Sequence, residues 1–374
     1  MSRHTWRTVC GIAAWLICGT AYPATPTPAT LEIGAAAPEF NLPGVDGKQY
    51  SLESFRDADV LVVVFTCNHC PTAQAYEGRI KKLAADYREK KVALVAISPN
   101  DPAAVRLDEL GYSDLGDSFD DMKVRAKDQD FQFPYLYDGE DQKVSLAYGP
   151  VATPHVFVFD RARKLRFAGR IDDSEKPDRA KSHDTRNAIE ALLAGKPVPV
   201  EKTKAFGCST KWSDKRDSAR KSLEQWAKEA VDLKTIDEKG IRELVKNDGK
   251  KLRLVNVWAT WCGPCVAELP ELVAMNRMYR HRGFELITIA ANAPAEKDDA
   301  LEVLKKKQVS ATNYLFTGGD KYKLMDAVDE KSTGALPHTL LIAPGGKVLY
   351  SKSGARDPME VKRAVVGYLG RTYK

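Results

Sequence analysis

The sequence predicts an α/β protein built from two domains of one design, each a central mixed sheet flanked by helices. Length is the first ground: 374 residues suit two or three domains. The second is a repeated order of elements. Twice, an apolar β-branched run leads into a Cys-x-x-Cys pair and an amphipathic helix, then another apolar run, an X-Pro step, a hairpin and a closing helix. The third is spacing, since 84 residues separate Cys70 from Pro154 and 72 separate Cys265 from Pro337. Together these imply duplication at domain scale.

In the first block, the run 60–65 is of strand length and enters Cys67-Asn68-His69-Cys70 directly. A helix is predicted over about 72–90, with Tyr76, Ile80, Leu83 and Tyr87 at helical spacing. A buried strand follows at 92–97. Thr153-Pro154 precedes a strand at 155–159, a turn at 160–164, a strand at 165–167 and a helix over about 184–194. In the second block, the strand 252–258 enters Cys262-Gly263-Pro264-Cys265, followed by a helix over about 266–282 and a strand at 285–289. Leu336-Pro337 then precedes a strand at 338–342, a turn at 344–347, a strand at 348–350 and a last helix over about 358–369. The boundaries expected are a leader at 1–21, a proline-rich spacer at 22–30, a first domain at 31–205, a linker at 206–225 and a second domain at 226–374. A helix over about 218–230 is expected to open that second domain.

The leader reads as a secretory signal peptide. Arg3, His4 and Arg7 precede the apolar stretch 9–18, and Gly19-Thr20-Ala21 supplies small residues for cleavage. The apolar stretch is too short for an ordinary membrane span. The expected product is exported, periplasmic or elsewhere in the cell envelope, with no integral membrane segment after cleavage. Its composition, 43% hydrophobic and 29% charged, is that of an ordinary globular chain. A net charge of +6 without a dense basic stripe argues against a nucleic-acid partner.

Cysteine usage points to chemistry. Of seven cysteines, Cys10 and Cys18 lie in the leader, four form the two close pairs, and Cys208 is left over. A disulfide-stapled scaffold closes long loops, whereas close pairs close almost nothing. A Cys-x-x-Cys at the end of a buried strand and the start of a helix meets unpaired N–H groups and the positive end of the helix dipole. That environment stabilises the thiolate that attacks disulfides. Cys262 is therefore the expected attacking thiol and Cys265 the resolving one, with Cys67 and Cys70 sharing those roles. Half of a zinc-binding set looks similar, but no second pair follows at finger or ribbon spacing, so neither metal nor organic cofactor is expected.

The segment Trp258-Ala259-Thr260-Trp261-Cys262-Gly263-Pro264-Cys265 resembles the thioredoxin active site. With Glu268 and Pro270, the region 230–374 is similar to the periplasmic TlpA/ResA-type thioredoxins of cytochrome maturation. That resemblance implies that Glu268 tunes cysteine ionisation, although an acidic residue in a helix's first turn is also favoured for its own sake. It implies substrate contacts at Trp261 and at the X-Pro steps Thr153-Pro154 and Leu336-Pro337, where such proteins hold a cis-proline facing the sulfurs. An X-Pro bond is the one ordinary site for a cis peptide, and its missing N–H leaves an open backbone edge for a substrate strand. Asn256 stands where thioredoxin has a buried aspartate, which shifts attention to Glu268.

The first block resembles the AhpC/TSA–redoxin superfamily over about 31–208, through Gly34-x-x-x-Pro38-x-Phe40-x-Leu42 and Asp46-Gly47-Lys48. Peroxide-reducing members carry a threonine three residues before their reactive cysteine. Aligned on Cys70-Pro71-Thr72, Cys67 holds that place, so disulfide exchange is expected over peroxide reduction. His69 before Cys70 resembles the Cys-x-His-Cys centre of the DsbA type, which implies a stabilised thiolate and a more oxidising pair. The two types lie near about −120 mV and about −270 mV.

The function expected is thiol–disulfide oxidoreduction on protein thiols and disulfides, recharged by a membrane thiol-transfer partner. Two alternatives stand beside it. One is a thiol peroxidase with antioxidant activity whose second domain is a built-in reductant. The other is a copper or zinc chaperone using Cys67, His69 and Cys70. Cys208 is read as inert or as a third redox partner. His155, His183, His281 and His338 are read as structural or surface residues, and Lys305-Lys306-Lys307 as a solvated helix face.

Overall fold

The computed structural model describes residues 28–373, so the predicted signal peptide and most of the spacer lie outside the described residues. The N-terminal half contains β1 (Asn41–Pro43), β2 (Gln49–Ser51), β3 (Val60–Phe65), α1 (Pro71–Tyr87), β4 (Val92–Ser98), α2 (Phe119–Asp128) and β5 (Tyr135–Tyr137). It continues with α3 (Lys143–Tyr148), β6 (Ala152–Thr153), β7 (His155–Phe159), β8 (Leu165–Gly169) and α4 (Asp184–Leu193). Next come β9 (Cys208–Ser209) and α5 (Arg216–Trp226). The C-terminal half contains β10 (Lys234–Ile236), α6 (Glu238–Lys246), β11 (Leu252–Trp258), α7 (Gly263–Tyr279), β12 (Phe284–Ala290) and α8 (Lys297–Lys306). It closes with β13 (Thr312–Phe316), α9 (Lys321–Val328), β14 (His338–Ile342), β15 (Val348–Ser353) and α10 (Pro358–Leu369).

Both halves hold the mixed sheet that their sequence patterns predict. The first runs β5-β4-β3-β7-β8, with β3, β4 and β5 parallel and β7 and β8 antiparallel. The second runs β10-β13-β12-β11-β14-β15 with the same senses at its centre. The strand that enters each cysteine motif is thus central and covered on both faces, which is why it reads as a continuous apolar run. Val60, Val62 and Val64 pack under Tyr76, Ile80, Leu83 and Tyr87 of α1, while Leu61, Val63 and Phe65 face Tyr148, Phe157 and Phe159. In β11, Leu252, Leu254 and Trp258 face Leu269 and Leu272 of α7; Val255 and Val257 meet Ile241, Leu324 and Leu340 on the other side. Each such buried side chain contributes about 1.5–3 kcal/mol relative to exposure, so the central strand is fixed firmly beneath its motif.

Two expectations are corrected. The segment 206–225 is not a free connector. β9 pairs antiparallel with β6, and α5 packs on the turn Pro102–Ala104, with Trp212 and Ala219 buried and Arg216 paired to Asp101. The segment read as a linker because its two apolar anchors are too few to make a periodic pattern. The helices after the motifs also start earlier than predicted, at Pro71 and Gly263, because their prolines are pre-organised for a helix's first turn.

The two halves touch. Tyr279 donates to the Ser113 carbonyl at 2.8 Å, Arg282 donates to the Gly111 carbonyl at 2.9 Å, and Arg371 pairs with the buried Asp114 at 2.6 Å. Among the described residues, no helix is long and apolar enough to cross a membrane.

Candidate active sites

In the C-terminal half, Cys262 is the cap of α7 and its sulfur accepts the Cys265 N–H at 3.3 Å. The two cysteines are joined in a disulfide. Cys265 is fully buried, Cys262 reaches the surface at its edge, and Trp261 beside it is 59% exposed. The two cysteines differ slightly in exposure, 8% for Cys262 against none for Cys265. The Leu336-Pro337 bond is cis, and among the described residues no strand pairs with 334–336.

Behind the motif lies a polar group that one face of β11 carries into the core. Asn256 donates to Glu268 Oε1 at 2.8 Å and to Thr339 Oγ1 at 3.1 Å. Glu268 is the sixth residue of α7, in its second turn rather than the first, and is largely enclosed. Burial raises its carboxyl above the usual range, against the pull of Arg356 and the Asn256 hydrogen bond. A solvated-charge reading of Glu268 therefore does not fit. Arg356, which sequence reasoning missed, is wholly buried 3.8 Å from Glu268 and donates through Nε to Thr339 at 2.9 Å. Its Nη1 and Nη2 have no hydrogen-bond partner among the described residues. Nothing in the local pattern around Gly354-Ala355-Arg356-Asp357 marks it, because only the fold carries that loop under the motif.

The N-terminal half uses a different register. Here Cys70, not Cys67, caps the helix, and its sulfur accepts the Ala73 N–H at 3.4 Å. Pro71 is the first helical residue and pushes the residue before it to extended geometry, which ends the strand-to-helix turn at Cys70. Cys70 is thus the positional counterpart of Cys262, contrary to the expected equivalence of Cys67 with Cys262. Both Cys67 and Cys70 are buried and free. Cys67 Sγ lies 3.2 Å from Thr153 Oγ1, and Cys70 Sγ lies 3.4 Å from the Thr153 carbonyl. The Thr153-Pro154 bond is cis.

His69 is buried with Nδ1 2.6 Å from Asp117 Oδ2, and the Asn68 and His69 N–H groups donate to Asp117 Oδ1 at 2.9 and 3.2 Å. Asn100 adds a bond to Oδ2 at 2.7 Å. Burial alone would lower the imidazole's affinity for a proton, but Asp117 overrides it and raises it. Asp117 is held low by His69 and these donors despite its own burial. Both directions describe one ion pair. Burial, the bond to Cys70 and the Asp117 charge hold the Cys67 thiol well up. Burial also opposes ionisation of Cys70, yet hydrogen bonds from the Cys208 and Cys67 thiols, the His69 charge and the Ala73 N–H hold it well below its ordinary value. Both directions favour Cys70 over Cys67 as the sulfur that ionises first.

Asp117 and Asn100 were not visible as site residues in the sequence; Asp117 lies 48 positions from His69 in an irregular stretch. Cys67, His69 and Asp117 place donor atoms within 4.8 Å of one another, a spacing a metal ion can use. Each Asp117 oxygen, however, already accepts from two N–H groups, so the carboxylate is committed to orienting the ring. The remaining histidines fit structural or surface readings. His155 is buried, with its pKa pushed down to about 4 by burial, and His338 is buried against Ser353 and Asp329. His183 and His281 are exposed.

Both halves of the chain are similar to known families. Residues 33–168 match the AhpC/TSA family, and residues 231–366 match the redoxin family. The thiol-disulfide oxidoreductase ResA of Bacillus cereus is 29% identical over 151 residues, covering 40% of this chain and 80% of the relative. ResA of Bacillus anthracis is 26% identical over 156 residues with the same coverage, 40% and 80%. Among solved structures, an uncharacterised conserved protein from Geobacillus kaustophilus is 37% identical, covering 50% of this chain and 95% of the other, with a TM-score of 0.44. A hypothetical protein from Sinorhizobium meliloti is 33% identical, covering 50% and 97%, also with a TM-score of 0.44.

Proposed function

We propose that this chain, a tandem thioredoxin-fold protein with an AhpC/TSA half and a redoxin half, is a thiol–disulfide oxidoreductase acting on protein disulfides at two unlike cysteine centres. The carrying observation is that a cysteine sulfur caps the helix after the central strand in both halves, each with a second cysteine beside it. The similarity to ResA supports the reaction class.

In the C-terminal centre, reduced Cys262 attacks a substrate disulfide as a thiolate supported by the helix N-terminus. Buried Cys265 then attacks the mixed disulfide and releases the substrate as a dithiol. The product is the Cys262–Cys265 disulfide present in the structure. Glu268, its carboxyl raised by burial, is the proton carrier we assign to the resolving step. Trp261 and the unpaired edge at 334–336 are where a substrate strand docks. In the N-terminal centre, Cys70 is the attacking sulfur and the His69–Asp117 pair stabilises its thiolate. A stabilised thiolate favours the reduced form, so this centre is the more oxidising of the two.

We further propose export, with recharging of the C-terminal centre by a membrane thiol donor. The charged, apolar and small-residue sequence of the leader supports the export reading. The test of the reaction is reduction of insulin by dithiothreitol in the presence of the chain. Cys70→Ser and Cys262→Ser should each lower the catalysed rate, and the double variant should abolish it. A double variant with the unmodified rate would refute the assignment.

A further inference from the structure

The edge beside Thr153-Pro154 is already occupied by the chain itself. Thr153 pairs with Cys208 and Ala152 with Ser209, in antiparallel register, just before the cis-proline. The Cys208 N–H donates to Cys70 Sγ at 3.3 Å. The approach is so close that a Cβ on Gly207 would come within 2.1 Å of the Thr153 carbonyl oxygen, and Gly207 adopts φ of +140°. Only glycine fits there.

The strand is pinned on both sides. Phe206 packs edge-on against Tyr76 with ring centres 6.0 Å apart. Thr210 donates to the Pro150 carbonyl at 2.8 Å, and the Lys211 N–H donates to Asn100 Oδ1 at 2.9 Å. Asn100 also holds Asp117, so the strand and the His69–Asp117 pair share an anchor. The second half shows no such strand at 334–336 among the described residues.

We propose that Cys208 is the internal exchange partner of Cys70, on a strand that takes the place of a substrate strand, so that the N-terminal centre cycles through a Cys70–Cys208 disulfide. This rests on reading the N-terminal cysteines as an exchange centre.

The steps balance. The Cys70 thiolate attacks one sulfur of a disulfide R–S–S–R′, forming Cys70–S–S–R and releasing R′S⁻. Cys208 then attacks Cys70 Sγ, its proton passes to the departing sulfur, and RSH leaves. Two electrons have moved from the protein to the substrate, and Cys70 and Cys208 are joined. The order is built in. While Cys70 is a thiolate, its hydrogen bond, together with burial and its charge, holds the Cys208 thiol far up. Capture of Cys70 in a mixed disulfide removes that charge and frees Cys208 to ionise.

The test uses the full-length reduced chain carrying Cys262→Ser and Cys265→Ser, so that only the N-terminal cysteines react. Cys67→Ser is added, glutathione disulfide is supplied, free thiols are blocked in acid, and linked peptides are mapped by mass spectrometry. The expected product is a Cys70–Cys208 disulfide with little glutathione on Cys70. Adding Cys208→Ser should arrest the reaction at glutathionylated Cys70, raising that species at least tenfold. Persistent glutathione on Cys70 with Cys208 still blockable in the Cys67→Ser chain would overturn this inference while leaving Cys70 an exchange thiol. No modification of Cys70 at all would overturn the exchange reading itself. Circular dichroism of the Cys208→Ser chain checks that the fold is kept, and Cys208→Ala repeats the measurement with a second side chain.

Discussion

Cys70 and Cys262 hold the same position in their two halves: each is the last extended residue before its helix, and each sulfur accepts the N–H of the residue three further on. Cys67, by contrast, precedes its cap by three residues and lies against the Thr153 hydroxyl. The shared position sets the chemistry, because the cap sulfur is the one that receives an otherwise unpaired N–H of the helix start.

The first prediction concerns which N-terminal thiol reacts. In the reduced chain, iodoacetamide should modify Cys70 at pH values where an ordinary thiol near pKa 8.5 is protonated. Cys67, held up by burial, should remain unmodified there. Site-resolved mass spectrometry across pH 5–9 reads both. Earlier modification of Cys67 would reverse their roles.

Asp117→Asn removes one member of a buried ion pair and leaves His69 enclosed without its counter-charge. Breaking such a pair costs about 3–5 kcal/mol, measurable by urea unfolding at neutral pH. The pH dependence has two limbs. Asp117 is held low in the fold, so its contribution is present above its unfolded value of about 3.9 and is lost as pH falls through the lower folded value. His69 is raised, so its contribution is full below about 6.5 and is lost as pH climbs through the higher folded value. The variant should lose both limbs.

Glu268→Gln should behave in the opposite way. The carboxyl is raised, so the stability that its protonated form contributes is full below about 4.3 and gone above the folded value. At neutral pH the relief of a carboxylate that burial opposes offsets the loss of the counter-charge beside Arg356, so the variant should lose less stability than Asp117→Asn. Its cost should appear instead in the resolving step, as loss of the acidic limb of the pH–rate profile for substrate release. A profile unchanged by the substitution would remove Glu268 from the proton path.

Gly207→Ala puts a Cβ where Thr153 O already lies. Strain at such a backbone position costs about 1–3 kcal/mol, and the clash adds to it. Thermal unfolding should show the loss, and Cys208 should become more accessible to thiol reagents. Unaltered stability would mean that the strand is not seated as described.

Much of this was legible in the chain. The central strands, the paired cysteines, the X-Pro steps and the closing helices are local patterns, and each was found where its residues indicate. The register of the first motif was misread: Pro71 after Cys70 marks the helix start, whereas Cys67 had been set level with Cys262. Asp117, Asn100 and Arg356 were not legible, because they lie in irregular segments that only the tertiary fold brings under the motifs. Cys208 was visible as a cysteine without a partner; its place beside Cys70 depends on a two-residue strand too short to leave a period.

The most direct test of two unlike exchange centres is the reduction potential of each half in the full-length chain, isolated by Cys262→Ser/Cys265→Ser or by Cys67→Ser/Cys70→Ser and equilibrated in glutathione buffers. Both should titrate as two-electron couples, the N-terminal one more oxidising by tens of millivolts, where about 30 mV corresponds to 1.4 kcal/mol. Equal potentials, or N-terminal cysteines that never form a disulfide, would contradict the account.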